Sequence, residues 1–363
     1  MESVKKTIHS LGLPRAIILS LFVILMILAG ITKMDIPALL GDVLRRWGMY
    51  GILVLAMVPA IQCGIGPNFG VTIGIVGGLL GALISVDLRY KGFFNAFANN
   101  PTADAFISIT VAIILAIIIS SIFGILYGML LNRVKGSEMT VSTYVGFSVV
   151  ALMNIMWLIL PFSSPTSIWP LGGEGLRNTI SLEADFSNVF NNFLGISIPI
   201  GKSTLFVPTG LLIVFILTCV AVWLFTRSRT GLMMRAAGTN PMYAKSASIN
   251  VDQMRILGTT ISTALGGVGI ICYAQSFGFL QLYNAPQMMG FACVASVLIG
   301  GAAIKKARIV HVLLGTFLFQ GILAIALPVA NTLLPEGNLS EILRVIISNG
   351  IILYALSKSK EVA

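Results

Sequence analysis

The residues with most chemistry to offer lie in one polar stretch, Thr226 to Asp252, set between two apolar runs. It holds Arg227, Arg229, Arg235 and Lys245, with Arg255 just beyond, in a chain of which only 10% is charged. Such cations can meet an acidic partner surface or lipid phosphates, or form a basic loop that contacts nothing. Ala236, Ala237, Gly238 and Ala244 are small enough to let a short helix lie close against a partner cleft. Asn240 suits the cap of that helix and Pro241 its first turn. The pattern predicts a structured loop over 226–252 rather than a slack linker.

Other chemistry is thin. The chain has no Gly-x-x-x-x-Gly-Lys-Ser/Thr phosphate loop, so it does not hydrolyse ATP by that route. His9 and His311 have no carboxylate or thiol at ligand spacing, so no catalytic residue and no metal site is expected. Cys63, Cys219, Cys272 and Cys293 all fall in apolar runs and read as small buried hydrophobes. No acidic residue is expected within a helix: Asp87, Asp104, Glu138, Asp252, Glu336 and Glu341 read as helix ends or loops. That argues against a proton-driven carrier, which needs ionisable groups in the membrane. It leaves open sodium sites built from backbone carbonyls. The interior offers neutral polar groups instead, among them Gln62, Ser142, Thr143 and Gln320. Asn68, Phe69, Thr72, Tyr144, Asn154 and Gln275 are the candidate solute-pathway residues. The same polar side chains serve equally as hydrogen bonds between helices.

The elements that must hold these residues are set by composition. Of 363 residues 56% are hydrophobic, and the mean hydropathy is +0.95, far outside soluble usage. The apolar runs are continuous and roughly 20 residues long, the length of a membrane-crossing helix. The expected fold is an all-α polytopic membrane protein, a single domain over 1–363. Ten helices are expected, near residues 13–31, 47–63, 71–86, 105–131, 139–160, 205–225, 256–274, 288–304, 309–329 and 340–356. The basic start followed by the run from Ala16 to Ile31 reads as a retained first helix rather than a secretory signal. The net charge of +10 marks one face of the membrane and does not signal nucleic acid. With both termini cytoplasmic, the inner segments sum to +11 and the outer ones to −1. Trp157, Phe162 and Trp169 sit where interfacial aromatics belong.

Three features complicate ten simple spans. The expected second and third helices are short and joined by Gly64-Ile-Gly-Pro-Asn-Phe-Gly70, which is either a cytoplasmic turn or a broken helix lining a cavity. Residues 161–203 form a long extracytoplasmic loop, either a lid or docking surface or a passive connection. Glycine clusters at Gly74 to Gly81 and Gly266 to Gly269 hint at an internal repeat of helices two to five in helices seven to ten.

Read together, Thr230-Gly231, Arg235-Ala236, Gly238-Thr239-Asn240-Pro241, Ala244 and Ile249-Asn250-Val251, then Ser262 and Gly266 to Gly269, form an ordered pattern. It resembles the signature of the permease family serving ABC importers of simple sugars (ribose type), branched-chain amino acids and nucleosides. Two departures stand out. The family's glycine before Ile249 is Ser248. The sugar members' Gly-Gly-Ile-Asp-Leu-Ser segment is replaced by 64–70, and Asn240-Pro241 resembles the nucleoside branch. The resemblance implies a cytoplasmic coupling helix between helices six and seven. It implies coupling contacts at Thr230, Gly231, Arg235, Ala236, Gly238, Asn240, Pro241, Ala244 and Ile249. It implies separate ATPase subunits carrying ATP and Mg, with no cofactor on this chain. It also implies a second permease subunit, identical or paralogous, a solute-binding protein outside, lipid around the spans, and a place in the bacterial inner membrane. The uncharged interior suits a neutral sugar or nucleoside. The rival reading is a secondary carrier or facilitator with no ATPase. A membrane enzyme would need a catalytic set the chain does not offer.

Overall fold

A computed structural model describes residues 13–93, 100–168, 175–201, 203–303 and 306–333, with seven positions between 342 and 353. The first helix, α1, is Leu13–Ile31, within the expected bounds. The next begins eleven residues earlier than expected. Asp35 accepts a hydrogen bond from the Ala38 amide at 3.1 Å, and Pro37 fits the first turn, so α2 starts at Ile36 and runs to Leu55. Its Asp42–Arg45 pair (2.8 Å) is within the helix, which corrects the expectation that no acidic residue sits there. Spacing at i,i+3 lets the two charges neutralise each other on an exposed face. A short α3, Met57–Gln62, continues the same line. The break at Ala56 follows from Pro59, which offers no amide to the Leu55 carbonyl.

α4 spans Val71–Tyr90, α5 Pro101–Arg133 and α6 Glu138–Ile159. Neither helix flanking the 64–70 segment is short: they span Ile36–Gln62 and Val71–Tyr90. The expected sixth helix loses its start at Leu205. There β2 (Ile196–Ile200) and β3 (Ser203–Val207) form an antiparallel hairpin, and α8 begins at Thr209. Pro208 explains the switch, because the residue before a proline is driven to extended backbone. Between α6 and the hairpin lie β1 (Thr179–Ser181) and the one-turn α7 (Val189–Asn192). After α8 come α9 (Arg229–Thr239), α10 (Pro241–Ser246) and α11 (Val251–Phe277). Then follow β4 (Phe279–Gln281), α12 (Ala285–Ile299) and α13 (Ile309–Leu333). α12 stops at Ile299, short of Ile304, because Gly300 and a left-handed Gly301 turn the chain. The expected tenth helix lies largely outside the described residues, as do Trp169, Pro170, Gly172 and Gly173 of the long loop. The seven described positions from Ile342 to Leu353 are helical.

The described chain is an all-α polytopic membrane protein with seven helices long and apolar enough to cross a membrane, and two shorter apolar ones. Burial sorts them into shells. The apolar windows of α2–α3, α4, α11 and α13 are 72, 83, 61 and 67% buried, whereas α5, α6 and α8 are 28% buried and bound the bundle. The packing repeats itself: α11 lies on α5 as α13 lies on α2, and α4 lies on α5 as α12 lies on α13. These pairs relate spans two, three and four to spans seven, eight and nine in order. Trp157 is fully buried in this core, not at a lipid interface.

The long loop is pinned at one end of the bundle. β1 pairs with β4 beyond α11, Ile180 opposite Leu280. Arg89 on α4 joins Asp104 on α5 (2.7 Å) and Asp185 of the loop (3.0 Å). Burial lifts the Asp185 carboxyl above its usual range, against the pull of the Arg89 guanidinium.

Candidate functional site

At the opposite end the 226–252 stretch folds as two short helices, not one. Ser228 caps α9 by accepting from the Gly231 amide at 3.2 Å. Asn240 ends α9 and caps α10, accepting from the Tyr243 amide at 3.0 Å, with Pro241 in the first turn. Asn250 does the same for α11, through the Gln253 amide at 3.1 Å. The sequence-expected coupling residues divide between two faces. Gly231, Gly238 and Ala244 are buried; Thr230, Ala236 and Ile249 are half-buried; Arg235, Asn240 and Pro241 are exposed. Met242 and Tyr243 of α10 are among the most exposed apolar side chains, 76% and 66%.

Inward, α9 meets the broken helix backbone to backbone. A Cβ on Gly238 would stand 2.6 Å from the Gly64 amide nitrogen and 2.7 Å from the Cys63 carbonyl carbon. Only glycine allows that approach. Met234 on α9 shares a buried cluster with Cys63, Ile65 and Tyr127. The surface loop and the 64–70 segment are therefore in direct contact.

That segment is buried in protein, as irregular backbone at membrane depth must be unless it lines a cavity. Gly64 and Gly66 take positive φ, 87° and 91°, which turns the chain between α3 and α4. Asn68 accepts hydrogen bonds from the Tyr127 hydroxyl (2.6 Å) and the Gly70 amide (2.8 Å), while its buried Nδ2 has no partner. Phe69 packs on Phe291 with ring centres 5.0 Å apart, and Phe147 follows at 6.1 Å. Thr72 bonds to the Phe69 carbonyl at 3.0 Å. Asn154 has a buried Oδ1 with no partner. The other two candidates lie elsewhere. Tyr144 is 67% exposed on α6. Gln275 is fully buried and accepts from the Phe190 amide at 3.1 Å, tying the long loop to α11.

Sequence reasoning did not find Tyr127, Phe147, Phe291 or the cluster around Arg255. Arg255 is buried, bonded to Glu138 (2.6 Å) and Asn132 (3.0 Å), and Lys135 pairs with Asp252 beside it. Partners 59 or more residues apart leave no local signal. All four cysteines are buried and unpaired.

Comparison with known proteins bears on the same features. A sequence-family model for the branched-chain amino acid transport system / permease component matches residues 39–356. The nucleoside ABC transporter permease protein NupC of Lactococcus lactis subsp. cremoris is 29% identical over 123 residues, 33% of this chain and 39% of that protein. NupB, a nucleoside ABC transporter permease protein of the same organism, is 32% identical over 95 residues, 25% of this chain and 26% of that protein. The galactofuranose transporter permease protein YtfT of Escherichia coli is 29% identical over 122 residues, 33% of this chain and 36% of that protein. The chain thus aligns with about two-fifths or less of the length of these relatives. No solved structure matches it.

Proposed function

Since the chain belongs to the branched-chain amino acid transport system / permease component family, we propose that it is the membrane-spanning subunit of an ATP-binding-cassette importer. Two permease subunits, alike or paralogous, enclose the pathway. ATP and Mg act on partner ATPases, and a binding protein delivers solute at the end carrying the 161–203 loop. The cargo is a small neutral polar solute, a nucleoside or a simple sugar. The names of the nucleoside and galactofuranose relatives support that class, as do the neutral polar side chains Asn68, Thr72 and Asn154.

One observation carries the coupling mechanism: the contact of Gly238 with the backbone of Cys63 and Gly64. α10 presents Met242 and Tyr243 to the ATPase. ATP-driven closure displaces α10 and α9 together, because Asn240 links them. α9 in turn moves the Gly64–Gly70 break, and with it Asn68, Phe69 and Thr72. Of the three buried amide atoms without a partner, on Gln62, Asn68 and Asn154, those of Asn68 and Asn154 belong to the expected pathway set and are assigned to a solute hydroxyl or amide.

The test is uptake of radiolabelled nucleoside and of sugar by vesicles holding the complete transporter. ATP-dependent uptake is expected, lost in Ala244→Pro while that variant still inserts in the membrane at wild-type level. Normal uptake by Ala244→Pro would sink the coupling assignment, and uptake by the chain alone without ATP would favour a carrier.

A further inference from the structure

The same end of the molecule holds a cleft that the Gly238 contact does not use. Its volume is about 750 Å³, and it opens between the end of α8, α9, the last turns of α3 and the start of α13. Four cations line it, Arg227, Arg235, Lys306 and Arg308, and no carboxylate does. Among the described residues none of the four makes an ion pair. Their neighbours at this end do: Arg255 has Glu138 and Lys135 has Asp252. Like charges gathered in one concavity repel each other unless an anion joins them.

The rest of the lining says which anion. Ile309 and Val310 give the cleft an accessible apolar wall, beside the neutral polar Gln62, Thr226 and Thr239. Trp223 adds a ring over which the Arg227 guanidinium lies at 4.1 Å. The cleft sits where α8 ends at Arg227 and α13 begins at Ile309, so it is level with the rim of two membrane-crossing helices. Phospholipid phosphates lie at that depth, with the acyl chains just beyond. A free anion would use the cations and leave the apolar wall unoccupied.

We propose that this cleft binds the phosphate-bearing headgroup of an anionic phospholipid, its acyl chains lying along Ile309 and Val310. Bound there, the lipid bridges α9 to α13 through Arg235 and Arg308 and fixes where α9 rests. The inference needs only that the helices cross a membrane, and it assigns Arg235, one of the expected coupling contacts, to lipid.

Trp223 provides the readout. The purified chain is placed in phosphatidylcholine vesicles containing increasing shares of brominated phosphatidylglycerol or, in parallel, brominated phosphatidylcholine. Subtracting the signal of Trp223→Phe isolates quenching at this ring. Saturable quenching by the brominated phosphatidylglycerol at low mole fraction is expected, with the neutral lipid far weaker. Lys306→Gln with Arg308→Gln should weaken the phosphatidylglycerol preference roughly thirtyfold. Lys306→Arg with Arg308→Lys, which keeps both charges, should retain it. Equal quenching by the two lipids, or an unchanged preference in the glutamine variant, overturns the proposal. Relief of quenching by millimolar inorganic phosphate would mark a free-anion site instead and also overturn it. So would relief on adding an acidic partner protein, which would mark a protein contact.

Discussion

At the scale of single residues, Ser248 shows best how the sequence and the structure inform each other. The family pattern has glycine here, and in this chain Ser248 takes a φ of +59°, in the left-handed region. The turn it makes returns Ile249 to the Ala244 carbonyl at 2.9 Å and closes α10 against α11. A Cβ in that conformation costs about 1 kcal/mol, which glycine avoids. Ser248→Gly should raise the thermal unfolding midpoint of the detergent-purified chain, by up to about 1 kcal/mol of stability. An unchanged or lowered midpoint would show that the serine hydroxyl or the stiffer chain outweighs the strain. Gly238 is the complementary case. Its role is invisible as a residue type, since nothing in the sequence says that the backbone of Gly64 lies against it.

At the scale of elements, the coupling region depends on its caps. α10 is only six residues long, Pro241–Ser246, and a helix that short is marginal without terminal hydrogen bonds. Asn240 supplies one from its side chain while its own amide closes α9 on Ala236 at 3.0 Å. Asn240→Ala should therefore lower stability by about 1 kcal/mol. It should lower ATP-driven uptake by a larger factor than it lowers the amount of inserted protein, because the cap holds the proposed docking helix. Equal losses of uptake and of inserted protein would reduce Asn240 to a stability role. The Asn240 cap was legible in the sequence, as were most spans, because a cap and an apolar run are local patterns. The misplaced boundaries have local causes too. The charged residues Asp42, Arg45 and Arg46 hid the first turns of α2, and Pro208 turned the expected start of the sixth helix into a strand.

At the scale of the whole molecule, charge and contacts give the two ends different characters. One end carries the 226–252 stretch, Arg255 and the cleft cations; the other carries the long loop held by Arg89, Asp104 and Asp185. The orientation proposed here places the first inside and the second outside. Because the native cysteines are buried, a membrane-impermeant maleimide should report only on introduced ones. The exposed positions Ser197 and Lys245 mark the two ends. Ser197→Cys should label in intact cells, and Lys245→Cys only in inverted vesicles. Labelling of both from the same side would overturn the topology.

The sequence by itself determined the class of the protein, the positions of most of its spans and the family to which its 226–252 stretch points. Each is a property of composition or of residues close together along the chain. The tertiary structure alone decided that α9 rests on the broken segment through Gly238. It also decided that Arg255 is neutralised by Glu138 while four cations of the cleft have no ion-pair partner among the described residues, and that Asn68 leans on Tyr127. In these contacts the partners are brought together from distant spans, and in a helical bundle such meetings follow from how helices pack, which no single helix encodes.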